Sequence, residues 1–118
     1  MIGVRHRFHG RGSLRGVYAR GRAARHPLMS LRSLRRDPRR PYRVAVVVSR
    51  KVNKSAVVRN RIRRRVYELV RQADDRIEPG TDLVFTVFDD RVARVEAAKL
   101  HAAVEELLQK AASSSGRT

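Results

Sequence analysis

Apolar residues recur along this chain with two periods. Val58, Ile62, Val66 and Leu69 fall at i, i+4, i+8 and i+11, which at about 100° per residue puts them on one side of a helix. The spacing predicts a helix over residues 56–72. Ser55 stands where an N-cap hydroxyl would accept from a free amide of the first turn. Leu100, Ala103, Val104, Leu107, Leu108 and Ala111 form a second stripe and predict a closing helix over residues 91–111. Near the start, Leu14, Val17 and Tyr18 predict a short helix, with Ser13 as its cap and Gly21 as its stop.

The other period is that of strands. Val44-Ala45-Val46-Val47-Val48 is β-branched and too short for an ordinary helix, and reads as a central strand buried on both faces. Residues 82–88 (DLVFTVF) predict another strand. Residues 28–34 form a third candidate with poor alternation. Asp37-Pro38-Arg39-Arg40-Pro41 and Pro79-Gly80 punctuate these segments as turns. The order is α-β-(β)-β-α-β-α, a two-layer α/β (α+β) sandwich with helices packed on one sheet. One domain over residues 1–112 is expected, with a basic arm at 1–12 and a disordered tail at 113–118.

Charge changes this picture from a generic small domain to a polyanion binder. In 118 residues there are 28 Lys+Arg and 11 Asp+Glu, a formal net charge of +17. Residues 1–42 carry +11, residues 43–71 carry +9 and residues 72–118 carry −3. The polyanion is therefore expected on the first 71 residues, with the last third as scaffold. No apolar run approaches the roughly 18 residues of a membrane span, and no secretory h-region follows the Arg- and His-rich start. The chain has no cysteine, which removes disulfides, zinc fingers and thiol catalysis and fits a reducing cytoplasm. No helix-turn-helix or zipper pattern points to DNA.

The 56–72 helix carries the chemistry. Asn60, Arg61, Arg64 and Arg71 point away from its apolar stripe, while Arg59, Arg63 and Arg65 flank it and can lay their alkyl stems along it. Arg50, Lys51 and Lys54 extend the positive track through the preceding loop. Guanidinium forks grip phosphate oxygens in pairs and stack on bases; Asn60 adds a donor and an acceptor for a base edge or a sugar hydroxyl. A merely solvated face would mix signs for i,i+4 pairing, and here only Glu68 opposes the basic residues.

Residues 49–64, SRKVNKSAVVRNRIRR, resemble the signature of the bacterial ribonuclease P protein subunit. In that family a V-S-K-K strand end runs into an A-V-x-R-N-R-x-K-R helix. Leu14-Arg15-Gly16-Val17-Tyr18 with Gly21 resembles its F-x-x-V-[FY]-x-x-G helix. The resemblance implies the α-β-β-β-α-β-α, ribosomal-protein-S5-domain-2-like sandwich with a left-handed βαβ crossover through the arginine helix. It implies that Arg50, Lys51, Lys54, Arg59, Asn60, Arg61, Arg63, Arg64, Arg65 and Arg71 meet the RNA subunit of the ribonucleoprotein. It also implies that a cleft with Leu14, Arg15, Tyr18 and Arg32 holds the single-stranded 5′ leader of precursor tRNA. The sequence departs from the family at three places: Leu14 replaces the first cleft aromatic, Arg32 sits about where many members place a strand aromatic, and the Val52–Ser55 loop lacks the family's glycine and is one residue longer.

No protein active site is expected. His6, His9, His26 and His101 are scattered, and histidines in a basic arm more often contact phosphate. Asp74-Asp75 and Asp89-Asp90 read as caps or solvated acids rather than a metal site. By the resemblance, catalysis belongs to the RNA subunit and its magnesium ions, and no small-molecule substrate is implied. A ribosomal protein or general RNA chaperone using the same basic helix is the competing expectation; a protein-only nuclease would need a carboxylate cluster that this chain lacks.

Overall fold

The computed structural model describes residues 6–8 and 11–115; in its first and last helices it describes side chains from Arg15 onward and up to Ala112. The order is α1 (Arg11–Arg20), β1 (Arg22–Arg25), β2 (Met29–Arg35), β3 (Arg43–Val48), α2 (Ala56–Gln72), β4 (Thr81–Val87) and α3 (Ala97–Ser115). The strands form one sheet in the order β1-β2-β4-β3. β2 pairs antiparallel with β1 and β4, while β3 and β4 run parallel, joined by the crossover through α2.

Strand alternation assigns the two faces. Met29, Leu31, Val44, Val46, Val48, Leu83, Phe85 and Val87 turn to one side and join Ile62, Val66 and Val70 of α2 and Leu100, Val104 and Leu107 of α3 in a single core. Val17 and Val84 are fully buried but lie outside that cluster, because α1 packs on the opposite face of the sheet. The second face is therefore only partly covered.

Two expectations about strands need correction. Val44–Val48 is not central: β3 is an edge strand, and its burial alternates, with Val44, Val46 and Val48 inside and Arg43, Ala45 and Val47 half-exposed. The doubly buried strand is β4, where Asp82, Leu83, Val84 and Phe85 are all buried. A bare β3 edge would invite pairing with another chain. Here Arg7 forms a parallel bridge with Val44, and the Tyr67 hydroxyl accepts from the Val46 amide at 3.1 Å. Part of the basic arm is thus docked: His6 is buried, stacked on Tyr42 at 3.9 Å between ring centroids.

The helix boundaries also shift. α1 begins at Arg11, so Ser13 lies inside its first turn rather than capping it. The expected closing helix is split: a short 3-10 helix, Asp90–Ala93, precedes α3, which starts at Ala97 and continues to Ser115. α2 runs as expected, with Ser55 Oγ accepting from the Val58 amide at 3.3 Å. Its buried stripe is Ile62, Val66 and Val70, with Val58 and Leu69 half-buried at its margins. Gly80 closes the turn before β4 at φ 79°; a Cβ there would stand 2.3 Å from the Asp37 carbonyl oxygen.

Candidate nucleic-acid interface

The basic residues of α2 divide into two groups once their partners are known. Arg61 and Arg64 are exposed, and among the described residues their side chains make no hydrogen bond or ion pair; the same holds for the side chains of Arg50, Lys51 and Lys54 in the preceding loop. These five free cations form one surface at the start and outer side of α2. Val57, 70% exposed, lies in the same region.

The other group serves the fold. Arg65 turns inward, donating to the carbonyls of Val92 at 2.7 Å and Val95 at 2.6 Å, and so ties α2 to the segment before α3. One nitrogen of Arg59 donates to the Asn53 and Lys54 carbonyls at 2.9 and 3.0 Å. Arg63 donates to Asn60 Oδ1 at 2.5 Å, which occupies the amide oxygen expected to read RNA. Arg71 is held by Glu68. That hydrogen-bonded guanidinium is the largest cause of a Glu68 carboxyl lowered to about 2.

The loop before α2, which has no glycine, is held by side-chain hydrogen bonds. Asn53 Oδ1 accepts from the Ser55 amide at 2.8 Å, Asn53 Nδ2 donates to Asp90 at 3.2 Å, and Arg59 bridges the next two carbonyls. Among the described residues no non-glycine has positive φ. Side-chain hydrogen bonds therefore do the work that a conformationally free residue would otherwise do.

On the second face of the sheet, Tyr18 and Arg32 come together. Arg32 donates to the Tyr18 carbonyl at 3.1 Å, and its guanidinium carbon lies 5.9 Å from the Tyr18 ring centroid. The Tyr18 hydroxyl is 3.3 Å from Thr86 Oγ1, yet 42% of the residue stays exposed. Arg15 is exposed one turn earlier on α1; the Leu14 side chain lies outside the described residues, as does His9.

Farther along the same face lies a group that composition did not reveal. Asp82 is buried and receives Arg43 in a two-pronged pair at 2.9 and 2.8 Å, and Arg36 at 3.0 Å. Arg43 also lies under the Phe8 ring, 4.7 Å from its centroid. The signal was in the strands: the register pairs Arg43 with Asp82, and an acid inside an otherwise apolar strand needs a cation.

The acid pairs do not fit a metal site. Asp89 caps the Arg91 amide and pairs with its guanidinium, Asp90 meets Asn53 and Arg94, and Asp74 receives the Tyr42 hydroxyl. No group of three or more His, Asp or Glu that could hold an ion occurs among the described residues. No helix among them is long and apolar enough to cross a membrane.

The "Ribonuclease P" family model matches residues 3–112. A ribonuclease P protein component from Gluconacetobacter diazotrophicus is 42% identical over 95 residues, covering 79% of this chain and 80% of that protein. One from Synechococcus elongatus is 33% identical over 115 residues, covering 95% and 94%. The match to that of Roseiflexus castenholzii is 44% identical over 73 residues but spans only 62% of this chain and 59% of the relative. Among solved structures, the RNase P protein of Staphylococcus aureus superposes with a TM-score of 0.78 at 18% identity, covering 90% of this chain and 94% of that one. That of Thermotoga maritima gives 0.77 at 23%, covering 90% and 97%. The two structures share the fold, and the family match spans nearly all of the chain. With both lines in agreement, the chain belongs to the ribonuclease P protein component family.

Proposed function

We propose that this chain is the protein subunit of a ribonucleoprotein endonuclease, binding the catalytic ribonuclease P RNA and helping it mature the 5′ ends of tRNA in the cytoplasm. The observation that carries this reading is the exposed cationic surface of Arg50, Lys51, Lys54, Arg61 and Arg64, whose side chains have no carboxylate partner among the described residues. Unneutralised guanidiniums held on a rigid helix suit a folded RNA, whose phosphates they meet without losing internal partners. The magnesium ions of the reaction belong on the RNA in this reading, which fits a protein whose described acids gather into no cluster of three or more ligands. The Tyr18–Arg32 cluster on the other face would receive the single-stranded leader of precursor tRNA, by stacking and by charge.

Replacing Arg61 and Arg64 by Ala tests the first surface. Affinity for the RNA subunit should fall, and log K against log salt should flatten by up to about one unit for each lost phosphate contact. Unchanged affinity and slope would place the RNA elsewhere. The Arg71→Ala change, made beside them, should flatten the slope less, because that guanidinium already has a carboxylate.

A further inference from the structure

Phe88 is half-exposed, 51% of its surface facing solvent, just beyond the end of β4. Its backbone is well fixed: the Phe88 amide donates to the Leu28 carbonyl at 3.2 Å, carrying the ladder one residue past the Met29–Val87 pair. Alternation then sends its side chain to the side of Thr86, away from buried Phe85 and Val87. That is the face on which Thr86 meets Tyr18 and Arg32 meets Tyr18.

Phe88 also borders the basic loop. β3 and β4 are parallel and in register at Val48 and Val87, so Ser49-Arg50 and Phe88 leave the sheet side by side. Asn53 binds Asp90, two residues after Phe88, and fixes the loop against this strand end. The neighbouring acids do not repel an anion at full strength, because Asp89 is paired with Arg91 and Asp90 with Arg94. An exposed ring thus stands between an aromatic–guanidinium cluster and three free cations. That juxtaposition matches the backbone-and-base pattern of a single strand better than a flat apolar contact with a protein.

We propose that Phe88 is a second stacking platform, on which a leader nucleotide lies as the single strand passes from Tyr18 and Arg32 toward Arg50, Lys51 and Lys54. The proposal rests on the leader reading above and adds the path of the strand and the residue at its midpoint. A ring is required rather than apolar area, since each base offers a π face to another ring.

The test uses the protein assembled with its RNA subunit, and compares affinity for precursor tRNA carrying its leader with affinity for mature tRNA. Phe88→Ala and Phe88→Leu should each reduce that preference about five- to 150-fold, as expected for one lost stacking contact. Phe88→Tyr should retain it, and all three should melt near the parent temperature. A 2-aminopurine base placed along the leader should be quenched at one position by the parent and not by Phe88→Ala. Undiminished preference and quenching in Phe88→Ala would overturn the proposal. If Tyr18→Ala still lost preference in that case, the leader reading would stand without Phe88; if neither variant lost it, the leader reading would fall as well. A change in sedimentation with no change in preference would make Phe88 a contact between copies of this chain, and would also overturn it.

Discussion

Arg71 grips Glu68 from one turn away on α2, with Nε 3.1 Å from both carboxylate oxygens and Nη2 closer still to one of them. The pair neutralises a guanidinium that the helix pattern alone assigns to RNA, and it marks where the cationic face of α2 ends.

The pair sets a pH signature. The Glu68 carboxyl is lowered from its ordinary 4.5 to about 2, and hydrogen bonding from the Arg71 guanidinium is the largest cause. A carboxyl depressed on folding contributes stability that is fully present above its unfolded value and is lost as pH falls from about 4.5 through about 2. Carboxyl NMR should therefore find Glu68 ionised down to about 2 in the parent protein, and Arg71→Ala should move its titration upward. A titration that stayed in place would mean the ion pair is not formed in solution.

Gly21 carries a prediction about the second face. Its amide donates to the Val17 carbonyl at 2.7 Å, ending α1, and a Cβ there would stand 2.4 Å from that oxygen and 3.0 Å from the Ser33 carbonyl. Both neighbours are backbone and cannot swing away. Gly21→Ala should therefore lower stability by roughly 1–3 kcal/mol, the usual range for overpacking, and should shift α1 enough to reduce leader preference. Denaturant titration measures the first effect; a variant as stable as the parent would show that α1 tolerates the displacement.

Asp82 supports a third. Only 3% of its side chain is exposed, while Arg36 and Arg43 remain 35% and 25% exposed. Asp82→Asn removes the one carboxylate between two cations and aims an amide at further donors. Breaking a buried pair costs about 3–5 kcal/mol when the orphaned charge stays buried. Here both guanidiniums can reach water, so about 2–4 kcal/mol is expected. A midpoint shift in urea with an unchanged m-value would report it, and a shift of less than half a kilocalorie would show that the cluster contributes little.

Local periodicity announced α2, down to its Ser55 cap, because helix spacing and a capping hydroxyl are short-range properties. It could not announce β1, whose Arg22-Ala23-Ala24-Arg25 has no apolar rhythm and becomes a strand only by pairing with β2. Nor could it rank β3 and β4: a run of valines looks central, but position in a sheet is decided by partners far along the chain. The interface was legible in the same proportion. That arginines crowd one helix is written in the sequence. Which of them remain free depends on carbonyls and carboxylates brought in by folding, and Phe88 shares a sheet face with Thr86, the partner of Tyr18, only once β4 has formed.

Arg65 and Arg64 turn that distinction into an experiment on adjacent residues. Arg65 is half-buried and donates to two carbonyls 27 and 30 residues away, whereas exposed Arg64 has no partner among the described residues. Arg65→Ala leaves those carbonyls without a charged donor and should cost about 1–3 kcal/mol of stability. Arg65→Lys should not restore it, because an ammonium lacks the planar fork that spans two acceptors. Arg64→Ala should leave stability within about half a kilocalorie, as surface changes usually do, and should flatten the salt dependence of RNA binding by up to about one unit. The two effects should therefore fall on different residues: denaturation responds to position 65, and the salt slope to position 64. If Arg65→Ala flattened the salt slope while leaving the urea midpoint in place, Arg65 would be facing RNA, and the division of α2 into structural and free arginines would be wrong.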